Sequence, residues 1–555
     1  MSIYFGNDTV NDLYIGLTPV SKGYVGTHLF YNGDNTIIDF TYEKYILNTQ
    51  FSTLYNTAEK PVKSAILKGN TLVNLAPKMV DNVVSNYQSG NVVITSAFKP
   101  STNLKANTEY TVFFKASEVV NAKSGQYQYE GRDVNNTFVE NKMKEYTLVN
   151  GYNKLTFTPT VELSKVQFLS YNTFNIGGAC RIHGDSVMLI EGNHSNEEIL
   201  YFTGMQSAKM PVLTTTGKNL FDGKLENGAI VSSTGVDTPS ADNVRSIGYI
   251  KVNANASIVI SNDLNYSNST IYEYDANKKY IGRQYTNPFT TSENCHYIRF
   301  RSDANQPNLN VKYQIEYGTK ATSYEPFKSN ILTVNEPVEL RKVGKIQDEL
   351  NLLTGELTQR IGEVVLDGSE GWTWYNETTN AIIVYTTNPL PNHLGVKYTN
   401  SQMVTNYLDI ADSIESGKDG CYISDSGRFN LAISKTKATS INELKQYLQS
   451  TPLVVQHLQT ESVKTVDLSV VDQDGNDTEL STFNDITHVT LSSEGLISEA
   501  ELEVATKNEE ILNTMSLEMD DISTTQTTLE ETSNTQSENV DATMLATTEI
   551  YEQLL

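Results

Sequence analysis

Residues 110–129, YTVFFKASEVVNAKSGQYQY, decide the fold class. Two strand-length runs rich in β-branched and aromatic residues flank a polar break of Asn, Lys, Ser and Gly, the pattern of strands joined by turns. The same order returns further along. Ala256-Ser257-Ile258-Val259-Ile260 answers Tyr110-Thr111-Val112-Phe113-Phe114, and Tyr272-Glu273-Tyr274 answers Tyr127-Gln128-Tyr129. Ala65-Ile66-Leu67 with Gly69 and Asn74-Leu75 is matched by Val212-Leu213 with Gly217 and Asn219-Leu220-Phe221. Val166-Gln167-Phe168-Leu169 is matched by Tyr297-Ile298-Arg299-Phe300, and Ile190-Glu191-Gly192 by Ile315-Glu316-Tyr317-Gly318. This predicts two tandem jelly-roll sandwiches, residues 61–205 and 206–328, in a mainly β chain. Shared β composition is the competing source of some of these pairings.

Ahead of them, the chain repeats at a period of ten. Tyr4, Tyr14 and Tyr24 align, as do Phe5, Ile15 and Val25, then Gly6, Gly16 and Gly26. Such units read as short strands between tight turns, too small to bury a face of their own. Residues 1–60 are therefore expected to form a short β-repeat that packs against a neighbouring chain or a larger body. The competing reading is an ordinary hairpin motif leading a large β domain.

Residues 329–506 read as a third, β-rich domain with one helix. A hairpin is expected around Thr354-Gly355, and Glu363-Val364-Val365-Leu366 runs into Asp367-Gly368 before Trp372 and Trp374. Ser440 followed by Glu443 is a capping box; Leu444, Tyr447 and Leu448 recur at helical spacing until Pro452 ends the helix. Strands resume at Val454-Val455, Val466-Asp467-Leu468 and His488-Val489-Thr490-Leu491.

From 507 to 555 Leu512, Met515, Met519, Ile522, Leu529, Val540, Ile550 and Leu554 fall on a heptad lattice. This predicts a C-terminal α-helical coiled coil with a polar centre, through which copies of the chain associate. A disordered acidic tail is the competing reading.

Composition narrows the function. With 66 acidic against 41 basic residues the formal charge is −25, which repels nucleic-acid phosphate and anionic membranes; neither is expected as a partner. Cys180, Cys295 and Cys421 are far apart, odd in number and match no metal spacing, so they read as buried thiols. Neither a basic leader with an apolar core nor a membrane-length apolar run is visible, so synthesis in a cytoplasm is expected. The seven histidines show no metal motif, and no nucleophile elbow or phosphate loop occurs in context. No metal, cofactor or enzymatic activity is expected, although a glycosidase carboxylate pair, defined by separation in space, stays open. Asp472-Gln473-Asp474-Gly475-Asn476-Asp477 resembles a calcium loop but lacks its later glutamate and reads as a turn.

Sugar binding is the more serious chemistry. Tyr127, Tyr129, Arg132, Tyr272, Tyr274, Tyr280, Arg283 and Tyr285 fall at matching places in the two modules, and aromatic rings stack on sugars while arginine bonds hydroxyls. Tyrosines two apart equally suit one buried strand face.

Several stretches resemble tail, baseplate and tail-fibre proteins of phages of Gram-positive bacteria. They are the opening Tyr-Phe-Gly, Tyr-Ile-Gly and Tyr-Val-Gly repeats, the junction Tyr201-Phe202-Thr203-Gly204-Met205-Gln206-Ser207, and Ala321-Thr322-Ser323-Tyr324-Glu325-Pro326-Phe327 after Ile315-Glu316-Tyr317-Gly318. The run from Arg360 to Glu370, the helix at 441–448 and Thr482-Phe483-Asn484-Asp485-Ile486-Thr487-His488 resemble the domain that follows. The resemblance implies a virion structural protein, a fibre or baseplate component, with carbohydrate-binding-like modules. It implies a homotrimer that contacts other tail proteins and host wall polysaccharide or teichoic acid. Tyr4, Phe5, Tyr14, Ile15, Tyr24 and Val25 would dock it to the particle. A glycan-degrading tail enzyme and a ligand-free spacer are the alternatives.

Overall fold

The computed structural model describes residues 42–507, apart from 48, 196, 198, 265–268, 303–307, 387–389, 391, 399–400, 409 and 411–418, together with four short strands between 14 and 31. Strand Ser64–Lys68 buries Ala65 and Leu67 and leaves its other residues half-exposed, the alternation of a sheet with one face on a core. Its neighbours come from far away in the chain. Leu67 lies opposite Leu350 of strand Glu349–Asn351 on one side and Ala500 of strand Glu499–Ala505 on the other.

That strand belongs to a seven-stranded sheet. Its order is Met403–Thr405, Leu453–Thr465, Glu356–Leu366, Glu349–Asn351, Ser64–Lys68, Glu499–Ala505 and Tyr42–Leu47. A second sheet runs Leu468–Asp472, Ser329–Val334, Met205–Thr216, Asp485–Gly495 and Phe51–Thr57, with Thr71–Val73 and Glu339–Leu340 also paired to Met205–Thr216. Leu54, Leu67, Leu213, Leu332, Leu350, Val489 and Leu502 join one core shared by strands of both sheets. The chain's early, middle and late segments thus form one central sandwich.

Three modules are inserted into it. The chain leaves at Val73 and returns at Met205, leaves at Thr216 and returns at Ser329, and leaves at Leu366 and returns at Leu453; each pair lies in register on adjacent antiparallel strands. An excursion that begins and ends side by side adds no strain to its host, the condition under which domain insertion is tolerated.

The first insertion is a sandwich of two four-stranded sheets. Numbering its eight strands from Asn82–Tyr87 to Phe174–Glu191, the orders are 2-7-4-5 and 6-3-8-1. Tyr110, Val112 and Phe114 face its own core, whereas Phe113, on the opposite face of that strand, joins Met188 and Ile190 in the core of the central body. The run that announced a strand therefore glues the module to its host. The second insertion sets a six-stranded sheet against a three-stranded one over Phe221, Ile258, Ile271, Phe300 and Ile315. The third carries a four-stranded sheet, Trp372–Glu377, Ala381–Thr386, Phe429–Ser434 and Gly420–Ile423, and the helix Ile441–Ser450. Ser440 caps that helix by accepting from the Glu443 backbone N–H, and Leu444 and Leu448 are buried. Glu443 completes the box by accepting from Thr439 N at 2.8 Å instead of from Ser440.

The expected chain of beads is thus corrected to a nested architecture. Residues 329–506 are no separate third domain, because strands from 42–73 and 205–216 complete their sheets. The expected C-terminal coiled coil is corrected as well. Strands account for 56% of the structure, only one helix has seven or more residues, and no coiled coil occurs among the described residues. The heptad residues Leu512, Met515, Met519, Ile522, Leu529, Val540, Ile550 and Leu554 lie outside them. In the opening repeat, Tyr14–Ile15 pairs with Thr18–Pro19 and Gly23–Val25 with His28–Tyr31. Each pairing falls within ten residues; Tyr4 and Phe5 lie outside the described residues.

Candidate functional site

A cleft of about 370 Å³ lies where the central body meets the first two insertions. Each contributes. The central body supplies Asn70, Lys342, Gln347 and Glu499; the first insertion His194 and Glu197; the second Lys251, Asn253 and His296. Much of this lining is tied to the protein. Asn70 donates to the Ile497 carbonyl at 3.2 Å and Gln347 to the Gly69 carbonyl at 2.9 Å, holding neighbouring strands together. Gly69 is required where it sits, since a Cβ there would stand 2.0 Å from the Arg341 carbonyl oxygen.

His194 Nδ1 lies 2.9 Å from the Glu197 carboxylate, an ion pair when the ring is protonated, and Nε2 is 3.0 Å from the Glu191 carbonyl. Burial lowers the imidazole pKa, but Glu197 and the carbonyl outweigh it and the net direction is up. Two lysines, two histidines and two glutamates line the cleft, a set suited to holding a small anionic or hydroxyl-rich group at a domain junction.

Beside this cleft, Phe51 and Tyr317 clasp His488. The imidazole stacks on Phe51 with centroids 5.5 Å apart and meets Tyr317 edge-on at 5.1 Å, while Nδ1 is 3.0 Å from Thr53 Oγ1. Burial pushes the His488 pKa down to about 4. Tyr317 closes the second insertion, so this cluster fastens that module to the body.

The residues picked out for sugar binding are placed otherwise. Tyr127, Tyr129, Tyr272 and Tyr274 are buried, which removes their rings from any ligand. Tyr127 donates its hydroxyl to the Thr156 carbonyl and Tyr129 to that of Thr158 at 3.3 Å. Tyr272, Tyr274 and Tyr280 donate to the carbonyls of Ile230, Gly235 and Ser232, each at 2.8 Å, and so pin the 230–235 loop to the sheet. Arg132 binds the Asn136 carbonyl at 3.2 Å. Arg283 and Tyr285 stay exposed, the guanidinium 5.0 Å from the ring centroid. The matched tyrosines are thus recurring core and loop anchors, as two-residue spacing on one strand face allows.

The cleft residues had no sequence signal, because no two modules' contributions lie near each other in the chain. The same holds for Asp81, His183 and Asp185, whose ligand atoms fall within 4.8 Å of one another. Asp81 is already committed there, accepting from Gly184 N at 3.0 Å and pairing with Arg181 at 3.1 Å. Asp472 accepts from the N–H groups of Asp474 and Asn476, both at 2.9 Å, and the calcium-like stretch is the turn expected of it. Cys180, Cys295 and Cys421 are buried thiols outside any disulfide. No helix among the described residues is long and apolar enough to cross a membrane. No protein-family model and no curated protein matches this chain.

Proposed function

We propose that this chain is a non-enzymatic structural protein of a phage tail, a fibre or baseplate component that contributes to attachment to the host surface through wall glycan or teichoic acid. The observation that carries the reading is the nested architecture: one central sandwich from which three modules project, each held by a pair of adjacent strands. Two-strand attachment, reinforced by Phe113 and by the Phe51–His488–Tyr317 cluster, orients a module far better than a single flexible linker would. A chain built to hold modules in fixed directions suits a component of a particle. The strand order of the first insertion is that of a jelly roll, an architecture common in capsid and lectin domains. Self-association into a trimer belongs to this proposal, with the outer strands Tyr42–Leu47 and Phe51–Thr57, which expose Ile46 and Tyr55, as edges for copies to cover.

Antibodies raised against the purified chain and applied to intact particles test the reading directly. Labelling of the tail, together with slower particle adsorption when cells are first saturated with purified protein, is the expected result. Unlabelled particles overturn it, and shortened wall glycans after incubation with the protein would favour the enzymatic alternative.

A further inference from the structure

The outer face of the four-stranded sheet in the third insertion carries a row that crosses the strands. Tyr385 lies opposite Asn430, and Asn430 lies opposite Tyr422 on the next strand. Their strand neighbours Val384 and Leu431 point the other way into the core, so alternation places the row on the outside. Tyr385 and Tyr422 stand two strand spacings apart, about 9.6 Å. On the edge strand Thr373 lies opposite Tyr385, so alternation places Tyr375, two residues on and beside the register shift between Trp374 and Asn376, on the same face. Its ring meets Tyr385 edge-on at 6.4 Å and is 65% exposed.

Two features separate this row from the tyrosines buried elsewhere. The hydroxyls of Tyr127, Tyr129, Tyr272, Tyr274 and Tyr280 are bonded to backbone carbonyls, whereas those of Tyr375, Tyr385 and Tyr422 have no hydrogen-bond partner among the described residues. Arg428 lies with its guanidinium 4.2 Å from the Tyr385 ring centroid and has no carboxylate partner among the described residues. A half-buried arginine stacked on a ring is held in place with its N–H edge free, the geometry that binds phosphate or carboxylate. In a chain of charge −25 this guanidinium, together with Lys397, whose Nζ is 5.3 Å from the Tyr422 ring centroid, makes a local reversal beside the exposed Tyr375 and the half-buried Tyr385 and Tyr422.

We propose that this face binds a glycan chain bearing phosphate or carboxylate groups. Tyr375 stacks on a sugar ring, the hydroxyls of Tyr385 and Tyr422 bond along the chain, and Arg428 takes the anionic group. Single-stranded nucleic acid, the other polymer that aromatic rows hold, is gripped by a positively charged groove along its backbone, whereas the Arg428 guanidinium offers one anchoring point. This inference rests on the surface-attachment reading and gives it a site apart from the cleft.

Affinity electrophoresis of the full chain through gels containing polyglycerol phosphate, polygalacturonate or dextran tests it. Retardation by one of the anionic polymers and not by neutral dextran is expected, the two arms separating phosphate from carboxylate. Tyr375→Ala should weaken that binding about ten-fold, and Arg428→Gln should weaken it and flatten its salt dependence. Tyr375 is exposed, so an unchanged melting temperature confirms that its variant is folded. Equal retardation by dextran, retardation by no polymer, or unaltered binding by both variants overturns the proposal. So does a change of oligomeric state in Tyr375→Ala, which would make the face a contact between copies. Tail labelling by antibody together with any of these failures leaves the particle assignment intact and removes only this site.

Discussion

Thr216 stands directly opposite Ser329 on adjacent antiparallel strands of the central sheet, and the whole of residues 217–328 is strung between them. Two residues so placed need only a tight turn to join them. The second insertion is accordingly expected to be dispensable for folding of the remainder. Replacing 217–328 with a two-residue Asn-Gly turn should give a soluble protein with a single cooperative thermal transition. An aggregated product, or loss of the central β signal in circular dichroism, would show that the body depends on its insertion.

His488 makes stability depend on pH. Its folded pKa is pushed down to about 4, below the ordinary value of about 6.5 in the unfolded chain. Between those values the unfolded state binds the extra proton. The contribution is therefore fully present above pH 6.5 and is lost as the pH falls towards 4, amounting to about 3 kcal/mol. Burial moves His457 in the same direction. Urea unfolding at pH 7.5 and pH 5 should show the decline, and His488→Gln should reduce it. A slope identical in the variant would discard His488 as its source.

The helix of the third insertion offers a graded test. Ser440→Ala removes the cap bond to Glu443 N and should cost about 1 kcal/mol, whereas Leu448→Ala empties a fully buried site and should cost about 3 kcal/mol. Denaturant midpoints with unchanged m-values would check the order. A costlier cap than core residue would contradict the packing described.

Thiol chemistry reports on all three insertions at once, because Cys180, Cys295 and Cys421 sit in the first, second and third. Burial raises the Cys180 pKa to about 11 and that of Cys295 to about 12, so neither forms the reactive thiolate at neutral pH. A thiol reagent should leave native protein unmodified and find all three cysteines in denaturant. Rapid labelling of one under native conditions would locate an opening module.

Much of the local structure was legible. The Ser440–Glu443 signal, the leucine spacing and Pro452 marked the helix, and Asn351 to Thr358 is a hairpin where Thr354-Gly355 indicated one. The Asp472 stretch read as a turn and is one. The candidate sites were far less legible. Tyr127 and Tyr385 carry the same side chain on strands of similar composition, yet one ring is enclosed by a second sheet and the other faces out. Which face of a strand is covered depends on what arrives from elsewhere in the chain.

The amino-acid order by itself determined that this is a mainly β protein with a capped helix and thiols held inside, since turn chemistry, alternation and capping act over a few neighbouring positions. Only the tertiary structure decided that three modules hang from one sandwich, that Leu67 meets Leu350 and Ala500, and that the cleft unites Lys342, His194 and Lys251. Those pairings join residues from 57 positions apart, His194 and Lys251, to 433 apart, Leu67 and Ala500. They are selected by which apolar faces can cover one another, a property of the assembled surfaces that no local stretch encodes.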